Sequence, residues 1–334
     1  MRSSEKNAPS RKSLAGKVVV ITGASSGAGR ATAIEFAKQG AHLVLAARRI
    51  EVLHELAAEC ETWGGTAVAV QSDVTDYASV VNLVKQALQF HQRIDVWVNN
   101  AGVLAAGGFT DTPIEVHEQV IRTNLMGYIH GAHAVIPVFK IQRAGILINN
   151  ISIAGFYPTP YAVGYSASKF GLKGFAEALQ GELHGWPAIH VCNLYPAFLD
   201  TPGIGHAANY TGVLLKPAPP VYDPRKVARA AVRMALHPKK STMIGAASYA
   251  LKIGYLIMPA LMRQMTAKVM ETYFLHAEPS PMSSGNVFQP LPFGTSIDGT
   301  GEGKTGKKTM ATAVAAGILI TTIALFTSRK KKFR

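Results

Sequence analysis

A tyrosine and a lysine four residues apart, Tyr165 and Lys169, point most directly to chemistry in this 334-residue sequence. Four residues are about one helical turn, so on a helix the two side chains share a face. A lysine ammonium beside a phenol favours the phenolate and lowers the pKa of the phenol, which helps it exchange protons near neutral pH. Ser152 can donate a hydrogen bond to a substrate oxygen that gains negative charge. The three residues predict proton exchange with an oxygen atom.

A glycine-rich turn forms a second pattern, TGASSGAG at residues 22–29, directly after an apolar run and before a helical pattern. Gly23, Gly27 and Gly29 permit a sharp turn and let backbone N–H groups approach a pyrophosphate at the positive end of that helix. Taken alone, such a turn also occurs as a plain tight connection. Beside a proton exchanger, it predicts a dinucleotide site.

The residues that end the second apolar run bear on which dinucleotide is bound. NAD sites usually place an acidic residue there, which bonds both ribose hydroxyls. This sequence has arginines at 48 and 49 instead, and Arg48 can hold a 2′-phosphate with charge-assisted hydrogen bonds. NADP(H) is therefore favoured over NAD(H), the alternative being that the arginines merely begin a solvated helix. Asp73, after the third run, can accept from the adenine amino group, cap the next helix, or do both.

The order of the motifs resembles that of the short-chain dehydrogenase/reductase family, in its membership with the TGxxxGxG turn, over residues 14–245. The turn is followed by NNAG at 99–102, Asn124 in RTNLMG, Ser152 in NISIAG, YSASK at 165–169 and YPAFLDTP at 195–202. The resemblance implies hydride transfer between a nicotinamide and a hydroxyl/carbonyl pair. It also implies a single catalytic domain with a Rossmann-type doubly wound parallel sheet in three α/β/α layers.

The resemblance further implies a role for each matching residue. Asn124, Ser152, Tyr165 and Lys169 are implied to form the catalytic quartet, with Asn124 holding a water that connects Lys169 to solvent. Lys169 is also implied to bond the nicotinamide ribose. The residues implied to bind the nucleotide are Gly23, Ser25, Ser26, Gly27, Ala28, Gly29, Arg48, Asp73, Val74, Asn100, Ala101, Gly102, Tyr165, Lys169, Pro196, Leu199 and Thr201.

One position departs from the family pattern. The family usually has Pro-Gly after the sixth strand, whereas this chain has Pro196-Ala197. If the backbone there needs a positive φ, alanine would cost about 1 kcal/mol and the loop would differ slightly. Leu199 and Thr201 still match positions that hold the nicotinamide carboxamide in the family.

Short apolar runs alternate with helical patterns from residue 17 onward, which indicates a parallel sheet covered by helices on both faces. Asp223-Pro224 is typical of a helix start, with proline at the first helical position, and this helix should continue to Leu236. The predicted strands are Val18 to Thr22, His42 to Ala47, Ala67 to Gln71, Val96 to Asn99, Ile146 to Asn149 and His190 to Tyr195.

Composition narrows the function classes. The net charge is +14, but eight basic and no acidic residues lie in 303–334, and four basic residues lie in 1–12, so nucleic acid is disfavoured as a partner. Cys60 and Cys192 form no metal or redox pair and fit a reduced compartment. We predict no metal site, because no carboxylate or cysteine completes the pair of His130 and His133.

The ends of the chain predict a membrane attachment. Residues 309–328 are uncharged, and as a helix they would be about 30 Å long, enough to cross a bilayer. The basic tail at 329–334 suits phospholipid headgroups, and the alternative is a buried C-terminal helix. We predict a disordered basic N-terminus at 1–13 and a flexible linker at 277–308. The apolar stretch at 246–276 is either a pocket lid or a membrane-surface segment.

Two functions are compatible with these patterns. The first is a membrane-associated NADP(H)-dependent oxidoreductase whose catalytic domain faces the cytosol and whose substrate is lipophilic, of steroid, retinoid or acyl type. The lipophilic substrate is inferred from the anchor and from Phe156, Tyr157 and Phe198, which should border the pocket. The alternative is a non-catalytic NADP(H)-sensing scaffold at the membrane. The resemblance implies a homodimer or homotetramer.

Overall fold

A seven-stranded parallel sheet lies at the centre of the computed structural model, which describes residues 14–299. The strand order is β3-β2-β1-β4-β6-β7-β9, and β5 and β8 form a separate parallel pair. The strands are β1 (Val18–Thr22), β2 (His42–Ala47), β3 (Thr66–Gln71), β4 (Val96–Asn99), β5 (Ala105–Gly107), β6 (Gly145–Asn150), β7 (Ile189–Pro196), β8 (Ala208–Tyr210) and β9 (Ser241–Ile244).

Helices cover both faces of this sheet. They are α1 (Gly27–Lys38), α2 (Ile50–Thr62), α3 (Tyr77–His91), α4 (Ile114–Ile121), α5 (Gly127–Gln142), α6 (Val163–Glu182), α7 (Arg225–Leu236), α8 (Ala246–Ile257) and α9 (Pro259–His276). A π-helical turn at Arg122–Met126 joins α4 to α5.

The sheet forms because its strands are apolar on both faces. All five residues of β1 are buried, and their side chains point alternately into two cores. One core contains Phe36 of α1 and Leu53 of α2, and the other contains Trp97 and Phe139. The strand order runs outward from β1 in one direction and from β4 in the other, so a crevice opens between their carboxyl ends. The predicted doubly wound parallel sheet is confirmed.

The element boundaries agree closely with the sequence patterns. β1, β2 and β4 have the predicted bounds. Before α7, the Asp223 carboxylate accepts a hydrogen bond from the Arg225 N–H at 2.8 Å, although Pro224 occupies the capping position and the helix begins one residue later. The edge strand β9 was not predicted, because it is four residues long, only Ile244 in it is buried, and it therefore lacks an apolar run.

Residues 246–276 form two helices, α8 and α9, which pack against the loop that follows β6. The Tyr157 hydroxyl hydrogen-bonds the Met262 carbonyl at 3.3 Å and also contacts the hydroxyl of Thr266. Within residues 14–299, no helix is both long and apolar enough to cross a bilayer. The predicted span at 309–328 lies outside the described residues, as do the predicted termini at 1–13 and 329–334.

The segment that follows α9 differs from the predicted flexible linker over residues 277–299. The Leu214 N–H donates to the Glu278 carbonyl at 2.8 Å, and Asn209 and Ser283 exchange two backbone hydrogen bonds at 2.8 and 2.9 Å. Its glycines and prolines favour a loop without a regular element, but backbone groups of β8 and of the segment just after β8 hold that loop in place. The rest of the predicted linker, residues 300–308, lies outside the described part of the chain.

Candidate active site

The glycine-rich turn lies at the carboxyl end of β1 and has the close packing that a dinucleotide cradle needs. Gly23 has a φ of +65°, and a Cβ there would lie 2.6 Å from the Ala101 Cα. A Cβ on Gly29 would overlap the Gly23 carbonyl oxygen. Larger residues would force the turn open, so α1 could not begin this close to β1. The turn therefore has the close backbone approach that a dinucleotide site requires.

A row of asparagines crosses the carboxyl ends of the central strands beside this turn. The Asn99 side chain donates to Asn149 at 3.0 Å, and Asn149 donates to Asn193 at 3.1 Å. Asn100, predicted to bind the nucleotide, donates its side-chain amide to the Gly23 carbonyl at 3.1 Å and thus holds the glycine turn. Asn149 and Asn193 were not predicted as site residues, although each is a polar residue inside a largely apolar strand, which is a signal that the sequence offers.

Asn124 sits in the π-helical turn between α4 and α5 and is fully buried. Its amide oxygen accepts from the Val103 N–H at 2.8 Å, and its amide nitrogen donates to the Val103 carbonyl at 2.9 Å. The same nitrogen lies 3.3 Å from the Ser168 hydroxyl. π-turns often occur at functional sites, and this one directs Asn124 onto the loop after β4 and onto α6. The side chain of Asn124 is thus held by protein groups, and its role in holding a water stays a prediction.

Tyr165 and Lys169 lie in the first two turns of α6, on the same face as predicted. The Lys169 ammonium is 5.5 Å from the centroid of the Tyr165 ring and 5.3 Å from that of Tyr128. Lys169 is only 3% exposed. Ser152 follows β6, has a φ of +114°, and hydrogen-bonds Tyr165 through its side chain. Non-glycine residues with positive φ are strained and cluster at functional sites.

Burial dominates the ionisation of this pair. It lowers the pKa of the Lys169 ammonium to about 7. It also raises the pKa of the Tyr165 phenol, an effect opposed by the hydrogen bond to Ser152. The spacing of the two residues predicts instead that Lys169 lowers the pKa of the tyrosine. The structure differs because desolvation disfavours the charged form of both groups.

The residues predicted to bind the adenine end of the nucleotide make hydrogen bonds to other groups of the protein. Arg48 donates to backbone carbonyls at 2.8 and 2.9 Å, and those carbonyls belong to residues 286 and 288. Asp73 accepts from the Thr75 N–H at 2.9 Å and so closes a turn. The cap of α3 is Asp76, which accepts from the Ala78 N–H at 3.0 Å, so the prediction that Asp73 caps this helix was wrong. The backbone carbonyl of Val74 accepts a hydrogen bond from the ring Nδ1 of His130 at 2.8 Å.

The loop after β7 approaches the glycine turn from the other side. Ala197 does not adopt a positive φ, and its N–H donates to the Ile244 carbonyl at 3.1 Å. The alanine that departs from the family pattern is therefore unstrained. A Cβ on Gly27 would lie 3.2 Å from the Thr201 Cβ, so Thr201 borders the turn. Leu199 pairs with Tyr222 in an isolated β-bridge.

Phe156 and Tyr157, two of the three residues predicted to border a pocket, lie beneath α8 and α9. The Phe156 ring packs on Tyr195 with 4.6 Å between centroids, and the Lys252 ammonium lies 4.2 Å above it. The third residue, Phe198, lies in the loop after β7, where its carbonyl accepts from the Tyr222 N–H at 2.8 Å. The two helices thus cover one side of the loop that carries Ser152.

Comparisons with known proteins agree with this geometry. The family profile described as short chain dehydrogenase matches residues 17–209. The uncharacterized oxidoreductase YxnA of Bacillus subtilis is 34% identical over 272 residues, covering 80% of this chain and 75% of that protein. The 3-ketodihydrosphingosine reductase of Bos taurus is 34% identical over 251 residues, covering 73% of this chain and 75% of that protein.

Solved structures show the same likeness. A metagenomic short-chain oxidoreductase in complex with NADP has a TM-score of 0.59 and 27% identity, covering 69% of this chain and 97% of that one. An alcohol dehydrogenase from the archaeon Thermococcus sibiricus, complexed with 5-hydroxy-NADP, has a TM-score of 0.59 and 28% identity, covering 68% of this chain and 95% of that one.

Proposed function

The chain belongs to the short-chain dehydrogenase/reductase family of NAD(P)-dependent oxidoreductases, and from this we propose that it uses NADP(H) to interconvert a hydroxyl and a carbonyl group on a lipophilic substrate. The observation that carries the proposal is the buried Lys169 one helical turn from Tyr165, with Ser152 hydrogen-bonded to that tyrosine. A binding scaffold does not need a phenol in this position.

The proposed chemistry divides between nucleotide and protein. Bound nucleotide supplies or accepts the hydride. In the reducing direction Tyr165 donates its hydroxyl proton to the carbonyl oxygen, which becomes the alcohol, and a phenolate remains on the tyrosine. The Lys169 ammonium stabilises that phenolate. Ser152 donates a hydrogen bond to the same substrate oxygen and orients the carbonyl. Asn124 positions the loop after β4 through both backbone groups of Val103.

Two arginines support the preference for NADP(H). Arg48 and Arg49 follow β2, where a carboxylate would repel a 2′-phosphate. The guanidinium of Arg48 reaches across the crevice edge and donates two hydrogen bonds to carbonyl oxygens, at 2.8 and 2.9 Å. Phosphate oxygens accept from the same fork of donors. The glycine turn between β1 and α1 would hold the pyrophosphate.

The helices α8 and α9 support a lipophilic substrate and contact with lipid. On the inner side of the pair, the ring of Tyr255 packs on that of Tyr157 with 5.7 Å between centroids, while Leu256 and Ile257 of α8 are 79% and 67% exposed. The relative named 3-ketodihydrosphingosine reductase favours a long-chain ketone over a steroid or retinoid. We therefore propose that such substrates enter from a membrane surface beneath α8 and α9.

The test is reduction of ketones by the full chain with NADPH, followed through the absorbance of the reduced nicotinamide. A long-chain 3-ketone presented in phospholipid vesicles is expected to be reduced faster than steroid or retinoid ketones. Leu256→Ser should lower the rate on the vesicle-borne ketone by roughly threefold or more, because it removes an apolar contact with lipid. The rate on a short, water-soluble ketone should not change.

The matched control is Ile141→Ser, which alters a residue that is 84% exposed at the end of α5. It should leave both rates unchanged. Equal effects of the two variants on the vesicle-borne substrate would contradict entry beneath α8 and α9. Absence of turnover with every ketone would contradict the proposed activity itself.

The pH dependence of the reduction rate should follow the protonation state of the Lys169 side chain. Because burial lowers the pKa of this ammonium to about 7, it loses its proton as the pH rises through that value. The phenolate left by proton transfer then lacks its cation, so kcat/KM for the ketone should fall above neutral pH by up to about tenfold per pH unit. Lys169→Arg keeps a cation to much higher pH and should extend the plateau. A wild-type profile that stays flat into the alkaline range would contradict this assignment.

A further inference from the structure

Residues 284–299, here called the C-terminal strap, lie across the crevice at the carboxyl end of the sheet. At one end of the crevice, Arg48 and Arg49 donate to four strap carbonyls, those of Asn286, Phe288, Leu291 and Phe293, at 2.8 to 3.0 Å. In the middle, the Gly27 N–H at the start of α1 donates to the Ser296 carbonyl at 2.9 Å. At the other end, the Gly299 N–H donates to the Asp200 carbonyl at 3.2 Å.

The donors that hold the strap are those proposed to hold the nucleotide. Arg48 is proposed to bind the 2′-phosphate, and the first N–H of α1 faces the site of the pyrophosphate. In the structure both donate to strap carbonyl oxygens. A single N–H that is engaged by a carbonyl at 2.8 or 2.9 Å cannot also donate to a phosphate oxygen with good geometry, and on Arg48 this applies to one N–H of each terminal nitrogen.

The strap fits its position through side chains as well as backbone. Val287 is fully buried in a small cluster that also contains Val103 and Val116 and that contacts Tyr165. Asp298 pairs with Arg225 through two hydrogen bonds, at 2.7 and 2.8 Å. Gly294 has a φ of +70°, and a Cβ there would overlap the ring of His206. The segment is therefore shaped to this crevice.

We propose that the C-terminal strap is an internal competitor of the nucleotide, so that strap docking and dinucleotide binding exclude one another. The proposal rests on the nucleotide site of the proposed function. Its ligand is a named segment of the same chain, which presents carbonyl oxygens where phosphate oxygens would bind. The apparent affinity for nucleotide is then reduced by the fraction of molecules with the strap docked. Any change that loosens the strap without altering the nucleotide donors tightens nucleotide binding.

Two variants of the full chain test this without altering the nucleotide donors. Asp298→Asn weakens the pair with Arg225, and loss of a partly exposed ion pair should lower the Kd for NADPH roughly twofold to fivefold. Gly294→Ala strains the strap at a positive φ and crowds His206, so it should lower the Kd by about fivefold or more. Fluorescence titration of NADPH measures both values.

Matched controls alter similar groups elsewhere. Glu177→Gln removes the exposed pair with Lys173, whose atoms are 2.8 Å apart, and Gly181→Ala fills open space on α6. Both should leave the Kd unchanged. Hydrogen exchange supplies a second readout: saturating NADP⁺ should speed the exchange of strap amides, whereas slower exchange would show that the strap closes over the nucleotide and would overturn the proposal.

The outcomes distinguish failure of the proposed competition from failure of the proposed function. A Kd that is the same in wild type and both strap variants, or higher in the variants, contradicts the competition while leaving the nucleotide site intact. Nucleotide binding that is detected only in the strap variants supports the competition. If neither the wild type nor either variant binds NADP(H), the nucleotide site is refuted and the competition with it.

Discussion

Replacing Tyr165 with phenylalanine is expected to reduce turnover by about 10²- to 10⁴-fold, the range that general acid–base catalysis contributes. The change removes one oxygen atom from a residue that lies against Lys169 and hydrogen-bonds Ser152. The substrate carbonyl then has no phenol to protonate it. Nucleotide binding should change by less than about twofold, because the ring and its packing remain. Turnover is measured with NADPH and a reducible long-chain ketone, and the Kd by fluorescence titration.

A neighbouring tyrosine provides the control for this prediction. Tyr161→Phe removes the hydroxyl that hydrogen-bonds Glu271 at 3.3 Å on the protein surface, and it should leave turnover unchanged. Full turnover by Tyr165→Phe would refute the proposed proton exchange. Wild-type protein that binds NADP(H) but reduces no ketone in a broad panel would favour the nucleotide-sensing scaffold instead.

The sheet and the proposed reaction centre are largely predictable from the sequence, for a physical reason. A strand buried on both faces needs a largely apolar run of residues. For β1, β2 and β4, the first and last residues predicted from such runs are those found in the structure. The spacing of Tyr165 and Lys169 works in the same way, because helical geometry alone places them on one face. Signals of this kind depend only on neighbours in the chain.

Features that depend on distant parts of the chain were not predicted. The asparagine row needs the register of β4, β6 and β7, which pairs Asn99 with Asn149 and Asn149 with Asn193. The π-helical turn around Asn124 is one residue out of step with an ordinary helix, and composition does not encode that offset. Burial of the Tyr165 and Lys169 pair depends on packing from several elements, so the direction of the tyrosine pKa shift was also predicted wrongly.

The C-terminal strap shows how composition alone predicts a linker where the structure has an anchored segment. A stretch rich in proline, glycine and serine has too few apolar residues for a core, which is typical of a linker. The strap is held instead by the surface on which it lies. Arginine side chains and the first N–H of α1 donate to the strap's backbone carbonyls, and Val287 is buried. The same two arginines support both the predicted nucleotide and the segment that occupies its place.

Replacing Arg48 with alanine is expected to raise the Kd for NADPH by roughly 10- to 100-fold, since one or two charge-assisted hydrogen bonds to the 2′-phosphate are lost. The Kd for NADH should not rise, because NADH carries no 2′-phosphate that could lose a contact. Arg48 also holds the strap through Asn286 and Phe288, so its removal frees the crevice and tightens binding of both nucleotides. The ratio of the two Kd values, measured by fluorescence titration, cancels the strap's contribution and isolates the phosphate contact.

Arg48→Lys and Arg93→Ala complete this experiment. Lysine keeps the charge without the planar fork, so the Arg48→Lys ratio should fall between wild type and alanine. Arg93 pairs with Asp95 at 2.6 Å just before β4, at the opposite end of the strand from the crevice. Its removal should leave the ratio unchanged. If the ratio of the Kd values for NADPH and NADH is unchanged in Arg48→Ala, another residue must bind the phosphate. Arg49 is then the next candidate, because its guanidinium lies 3.5 Å from the Ser25 hydroxyl of the glycine turn.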